Sequence, residues 1–179
     1  PAAPYRICDH SDDLAGLLTE LNIETCVLIG ISVGGMIAMD FTAKYPNVVK
    51  ALIVCDTFPK IGTADMWNER IKTLRQHGMA YLSDAILARW FAPSYQAANP
   101  TAYRGYANML TQMPVTGYTG TCEAIRDADL TDAAKSIQQP TLVLCGAEDQ
   151  STPPELVCGL TNIIPNSRYA EIEQAGHLP

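Results

Sequence analysis

Cys26-Val27-Leu28-Ile29-Gly30-Ile31-Ser32-Val33-Gly34-Gly35-Met36 is the stretch whose reading decides the fold. Cys26 to Ile29 show no polar alternation, the pattern of a strand buried on both faces of a parallel sheet. A Gly-x-Ser-x-Gly turn follows, Gly30 to Gly34, and then a helical pattern. Ser32 therefore stands where strand must reverse sharply into helix. Such an elbow strains the serine backbone and asks for small neighbours, here Gly30 and Gly34. It exposes the hydroxyl at a helix N-terminus, whose free N–H groups favour a developing oxyanion. The Val33 N–H is placed to be one such donor. A Gly-rich turn with an incidental serine is the other reading of the same residues.

Upstream, Pro1 to Asp9 reads as loop and Ser11 as the N-cap of a helix, with Leu14, Leu17, Leu18 and Leu21 on one face. Downstream, Met36, Ile37, Met39 and Phe41 mark a helix that stops near Tyr45-Pro46-Asn47, and Ala51 to Cys55 is a second apolar strand. Strand, helix and strand within roughly thirty residues make a βαβ unit with parallel neighbours.

The pattern changes after Asp56. From Phe58 to about Lys135 no buried strand is visible. Trp67, Ile71 and Leu74 mark one helix, Leu82, Ile86 and Trp90 another, and Tyr103, Tyr106 and Leu110 a third. Pro93, Pro100 and Pro114 punctuate the gaps, Gly117 to Gly120 reads as a loop, and Ala124 to Leu130 as a short helix. Residues 58–135 are expected to form a helical cap inserted into a discontinuous core of residues 1–57 and 136–179. The sheet resumes at Thr141 to Cys145. A polar loop, Gly146 to Thr152, leads to a helix from Pro153-Pro154 to about Ile164 and a last strand, Arg168 to Ile172. The expected class is α/β, a partial parallel sheet with a helical cap insertion.

Composition narrows the partners. The chain has 179 residues, 47% hydrophobic and 17% charged, with a net charge of −7. That balance argues against nucleic acid or an anionic membrane surface. No apolar run approaches the length that spans a bilayer, and the first residues show no signal-peptide pattern. The six cysteines form no C-x-x-C pair, as expected of reduced thiols in a cytoplasmic protein. Three scattered histidines suggest no metal site.

Ser32, Asp149 and His177 each follow an expected strand, at the carboxyl ends where catalytic groups of open parallel sheets collect. A serine hydroxyl is a poor nucleophile until a base takes its proton. Imidazole titrates near neutrality and can return that proton. A buried carboxylate holds the imidazole tautomer and stabilises its charged form. Asp149 has bland alternatives: it could cap the next helix, Glu148 is adjacent, and Asp56 is a rival acid at the end of the preceding strand. His10 and His77 lie elsewhere and read as structural or solvated.

Nucleophile, acid, histidine is the chain order of the α/β-hydrolases, and these residues with their surroundings resemble that superfamily. Lys60-Ile61-Gly62-Thr63, Met66-Trp67-Asn68-Glu69-Arg70-Ile71, Arg89-Trp90-Phe91, Gly117-Tyr118 and Ala124-Ile125-Arg126-Asp127-Ala128-Asp129-Leu130 are similar to the 3-oxoadipate enol-lactonases. The resemblance covers nearly the whole chain. It implies hydrolysis of 3-oxoadipate enol-lactone to 3-oxoadipate, late in catabolism of protocatechuate or catechol, with no metal or organic cofactor. It implies Ser32 as nucleophile, His177 as base, Asp149 as orienter and Val33 as oxyanion donor. The substrate carboxylate calls for a cation, and Trp67 and Arg70 are the candidates for covering the ring and holding that group, with Arg126 a secondary one. Trp67 shares a face with Ile71 and Leu74, so core packing is its alternative role. Other serine hydrolases of this fold, a carboxylesterase or a cofactor-free perhydrolase, are the alternatives within enzymes. A haloalkane dehalogenase is disfavoured, since Ser32 stands where that family has Asp. From another class, a binding protein of the same fold is the alternative.

Against the superfamily pattern the chain looks truncated at both ends. The early strands and the loop that gives the second oxyanion donor are absent, as is the closing helix. The strand bearing Ser32, ordinarily central, would then leave one edge open and apolar, prone to pairing or aggregation. Activity of the chain alone would suffer, one lost oxyanion donor costing about 10²–10³ in kcat.

Overall fold

Residues 4–179 are described by a computed structural model. Residues 1–3, part of the loop expected over Pro1 to Asp9, lie outside the described residues. A helix, α1 (Ile7–Glu20), leads to β1 (Cys26–Ile31), α2 (Val33–Lys44) and β2 (Val49–Cys55). Five helices follow: α3 (Ala64–His77), α4 (Met79–Trp90), α5 (Pro93–Ala98), α6 (Pro100–Thr111) and α7 (Val115–Asp127). Then come α8 (Thr131–Ser136), β3 (Thr141–Gly146), α9 (Pro154–Cys158) with a 3₁₀ turn at Gly159–Asn162, and β4 (Ser167–Ile172). The four strands pair in the order β1-β2-β3-β4, all parallel, with Ile31 opposite Cys55, Cys55 opposite Leu144 and Gly146 opposite Ile172. Every strand therefore ends at the same rim of the sheet.

The core sits between α2 and the sheet and continues beneath the helices that follow β2. Met36, Met39, Leu52, Val54 and Val143 are fully buried there. Trp67, Ile71 and Leu74 of α3 are buried together, as their spacing requires, and α3 packs on α7.

Several expectations give way to tertiary packing. The first helix begins at Ile7, not at Ser11. Arg6 is its N-cap residue, its N–H donating to Asp9 Oδ2 at 3.0 Å. Ser11 is instead buried mid-helix, its hydroxyl bonding to Ile7 O and Ile37 O. The leucine face of α1 is not the buried one: Leu17 and Leu21 are exposed, and Ile7 and Ser11 face α2. The segment read as a loop, Gly117 to Gly120, lies inside α7. Its glycine serves packing, because a Cβ at Gly120 would enter the ring of Tyr5. The helix expected to reach Ile164 ends at Cys158 and tightens into the 3₁₀ turn, which drives Leu160 and Ile164 into the core. β1 is buried on one face only. Among the described residues it is an edge strand, with Val27 55% and Ile29 65% exposed.

No helix among the described residues is long and apolar enough to cross a membrane. The six cysteines are free thiols, with Cys55, Cys122 and Cys145 buried.

Candidate active site

The turn from β1 to α2 is the elbow anticipated from Gly30-Ile31-Ser32-Val33-Gly34. Ser32 sits at φ 53° and ψ −122°, a region that side chains rarely occupy and that marks stored strain. Neighbouring β2 and the residues just beyond it hold it there: the Ser32 N–H donates to Cys55 O at 2.9 Å, and Thr57 Oγ1 donates to Ser32 O at 2.7 Å. Gly30 is required because a Cβ would strike the backbone of Gly34. Gly34 itself has open space, whereas a Cβ at Gly35 would press on Thr57, so the second crowded position is one residue beyond the motif. Val33 is the first residue of α2, among N–H groups that have no acceptor within the helix, and it faces the same cavity as Ser32.

His177 is carried by the loop after β4. That loop is pinned by close backbone approach: a Cβ at Gly146 would hit Gly176 O, and one at Gly176 would crowd Trp90 O. The Glu148 N–H donates to Ala175 O at 2.8 Å and the Leu178 N–H to Trp90 O at 3.1 Å. His177 is 4% exposed and Asp149 3%, and His177 Nδ1 lies 2.8 Å from Asp149 Oδ2. Asp149 also accepts from the Ser151 N–H at 2.7 Å, the Thr152 N–H at 3.2 Å and Thr152 Oγ1 at 2.7 Å. Burial opposes its ionisation. The bonds from His177, Thr152 and Ser151 outweigh that and hold its carboxyl below its ordinary range. With Nδ1 committed to Asp149, Nε2 is the nitrogen left for a substrate-side proton.

Asp56, the rival acid, directly follows β2 at φ 48° and is fully buried. It does not take the histidine. Its Oδ1 accepts the Gly146 N–H at 2.9 Å, and its Oδ2 has no hydrogen-bond partner among the described residues. Burial, reinforced by the Asp149 charge, pushes its carboxyl up to about 7, against the Gly146 bond.

A cavity of about 290 Å³ opens beside the elbow. Ser32, Val33 and His177 line it on the sheet side, and Trp67, Arg70, Trp90 and Tyr118 on the side of the helices. Trp67 is 7% exposed in the core, bonded through Nε1 to Ile61 O at 2.6 Å, and also lines the cavity wall. Arg70 lies with Cζ 5.2 Å from the Trp67 ring centroid, and among the described residues it forms no ion pair with a carboxylate. Burial pushes the Tyr118 phenol up, and the Arg70 charge partly offsets this. Arg126 is not among the residues that line the cavity and is engaged with Asp127 at 2.7 Å and with Asn68 at 2.9 Å. His10 packs edge-on to Tyr5 and His77 stacks on Tyr81, both away from the cavity.

Two participants escape a reading by residue type. Thr152 clasps Asp149, and only the Asp-x-Ser-Thr run of a side-chain-capped turn points to it. Arg89 lines the cavity as a second cation and donates to Gln150 O at 2.8 Å. Nothing in the pattern of α4 distinguishes it from a solvated arginine.

The comparisons with known proteins bear on the fold. A family model described as the alpha/beta hydrolase fold matches residues 1–179. The chain is 32% identical over 152 residues to 3-oxoadipate enol-lactonase 2 of Acinetobacter baylyi, covering 85% of this chain and 57% of the relative. It is 27% identical to a putative carbamate hydrolase, RutD, of Pantoea ananatis, covering 98% of this chain and 65% of that relative. It thus spans less than two thirds of either one's length. Among solved structures, the enol-lactonase from Burkholderia xenovorans LB400 superposes with a TM-score of 0.95 at 31% identity, covering 99% of this chain and 68% of that one. Parallel strands ending at one rim, a serine on a strained elbow and a full-length family match lead to one conclusion: the chain belongs to the alpha/beta hydrolase fold family.

Proposed function

We propose that the chain is the Ser32, His177 and Asp149 portion of a serine hydrolase that opens 3-oxoadipate enol-lactone to 3-oxoadipate. The observation that carries this reading is the cavity, which joins Ser32 and His177 to an arginine, Arg70, that has no carboxylate partner among the described residues. A lactone ring fits against Trp67 and the apolar wall, and its free carboxylate meets Arg70. Relatives named enol-lactonases support the choice of substrate.

In this reading Ser32 Oγ attacks the lactone carbonyl while His177 Nε2 takes the hydroxyl proton. Asp149, held by four donors, keeps the imidazole oriented and stabilises its charged form. The Val33 N–H faces the oxyanion. Ring opening expels an enolate, which takes up a proton and tautomerises to the ketone. Water activated by His177 then releases the acyl group from Ser32. The residues supply nucleophile, base and orienter, so the reading requires neither metal nor organic cofactor. The helices α3 to α7 act as the cap over a cytoplasmic small-molecule site, in place of any nucleic-acid or membrane surface.

A second reading is a carboxylesterase acting on uncharged esters, favoured by the apolar wall of Ile61, Met66, Met113 and Ile125. One experiment separates the two. Loss of 3-oxoadipate enol-lactone is followed beside a panel of neutral esters, for the wild-type chain and Ser32→Ala. Preferred turnover of the enol-lactone, absent in Ser32→Ala, is expected. Preferred turnover of neutral esters overturns the lactone in favour of the esterase, and equal turnover by Ser32→Ala overturns Ser32 as nucleophile.

A further inference from the structure

We propose that Asp56 is a positioning residue of this site, carrying the single proton of a buried carboxyl pair whose other member is Asp149. This rests on the reading of Ser32, His177 and Asp149 as a triad. Oxygens of Asp56 and Asp149 and the sulfur of Cys145 lie within 4.8 Å of one another, and all three residues are buried. The two carboxyls are provided for very differently. Asp149 receives four donors, from Ser151, Thr152 twice and His177. Asp56 receives one, the Gly146 N–H on Oδ1, and its Oδ2 is buried with none.

A buried carboxylate oxygen without a donor is unfavourable, and two carboxylates this close in a dry site are costly to ionise together, so the second proton leaves only at higher pH. A proton on Asp56 Oδ2 eases both problems, because it removes one charge from the pair and turns an orphaned acceptor into a donor. The groups acting on Asp56 are Asp149, His177, Cys145, Cys55 and the Gly146 N–H, with no lysine or arginine among them. Of these, only the imidazole, once charged, and the Gly146 N–H favour a second negative charge there.

The consequence is a dependence of the triad on the state of Asp56. While Asp56 is neutral, Asp149 is the lone charge behind His177. When Asp56 loses its proton to solvent, a second negative charge joins Asp149 and strengthens the hold on an imidazolium. The step in which His177 takes the Ser32 proton then changes rate. A carboxyl that merely satisfied the Gly146 N–H would produce no such change.

The test has two readouts on the full chain. In the first, carboxyl ¹³C NMR follows the aspartates against pH, with Asp56 assigned by its loss in Asp56→Asn. Asp56 is expected to titrate far above the ordinary carboxylate range, and titration within that range overturns the proposal. If Asp56→Asn does not fold, the wild-type spectrum still decides, because the absence of any aspartate carboxyl titrating above the ordinary range overturns the proposal. In the second, labelling of Ser32 by a fluorophosphonate is timed across pH. The amide in Asp56→Asn keeps an acceptor for the Gly146 N–H and a donor toward Asp149 but cannot ionise. The wild-type rate is expected to change at least threefold through an extra step at the pH where Asp56 titrates, and that step is expected to vanish in Asp56→Asn. Labelling with superimposable profiles overturns the role of Asp56 alone. No labelling of Ser32 at any pH removes the triad and the positioning role with it.

Discussion

Ser32 is held in its strained conformation by two bonds to neighbouring β2 and the residues just beyond it, from its own N–H to Cys55 O and from Thr57 Oγ1 to its carbonyl. Strain of this kind persists only when its surroundings enforce it. Gly30→Ala should therefore be severe, because its methyl meets backbone that cannot rotate away. A loss of about 3 kcal/mol, the upper end of overpacking, is expected in denaturant unfolding. Gly34→Ala, with open space, should lose far less, and equal losses would contradict this account of the elbow. The buried carboxyls give opposite pH signatures. Asp56 binds its proton more tightly folded than unfolded, so its contribution is complete below 3.8 and drains away as pH rises toward about 7. Asp149 is shifted down, so its contribution is present above the unfolded value and lost as pH falls through the folded one. Stability of Asp56→Asn relative to wild type should accordingly improve from pH 4 to 7, by up to about 1.4 kcal/mol for each pH unit crossed. A difference that does not vary with pH would contradict the sign. At this scale Ser32, Asp149 and His177 were legible because each follows a strand in a recognisable order. Thr152 and the crowding at Gly35 were not, because both depend on how the loops fold and on what another strand brings close.

At the scale of elements, α3 does two jobs with one helix. Trp67, Ile71 and Leu74 seal it to the core, while Arg70 turns toward the cavity beside the Trp67 ring. Arg70→Ala should raise KM for the enol-lactone about tenfold or more, since bonds to charged groups are worth about 1.5–3 kcal/mol, with a smaller change in kcat. Unchanged kinetics would remove Arg70 from the site. The buried stripe of α3 was readable from its period. The span of α7 was not, since its glycines argue locally for a loop and only the Tyr5 ring against Gly120 explains one of them. Likewise Ser11 has the local chemistry of a cap, yet the Arg6–Asp9 pair starts α1 a turn earlier and Ser11 is drawn into the α1–α2 contact.

Across the whole molecule, a parallel sheet collects Ser32, Asp149 and His177 at one rim and, among the described residues, leaves β1 as an exposed edge. The apolar run that identified β1 as a buried strand is contradicted on one face, where Val27 and Ile29 meet solvent. An exposed apolar edge is a template for pairing. The chain should therefore self-associate as concentration rises in sedimentation experiments, and Ile29→Lys should suppress this at little cost to folding. A wild-type chain that stays monomeric throughout would contradict the expectation. The α/β class could be read from the βαβ unit around Ser32. Which face of β1 lies open could not, because an apolar strand looks the same in sequence whether or not another element covers it.

The central claim is that Ser32 is a nucleophile activated by His177. The most direct test is peptide mapping by mass spectrometry after treatment with a fluorophosphonate. One adduct is predicted, on Ser32, absent in Ser32→Ala and slowed at least about a hundredfold in His177→Gln. An unlabelled wild-type chain, or labelling of Ser32 that proceeds equally fast without His177, would contradict it.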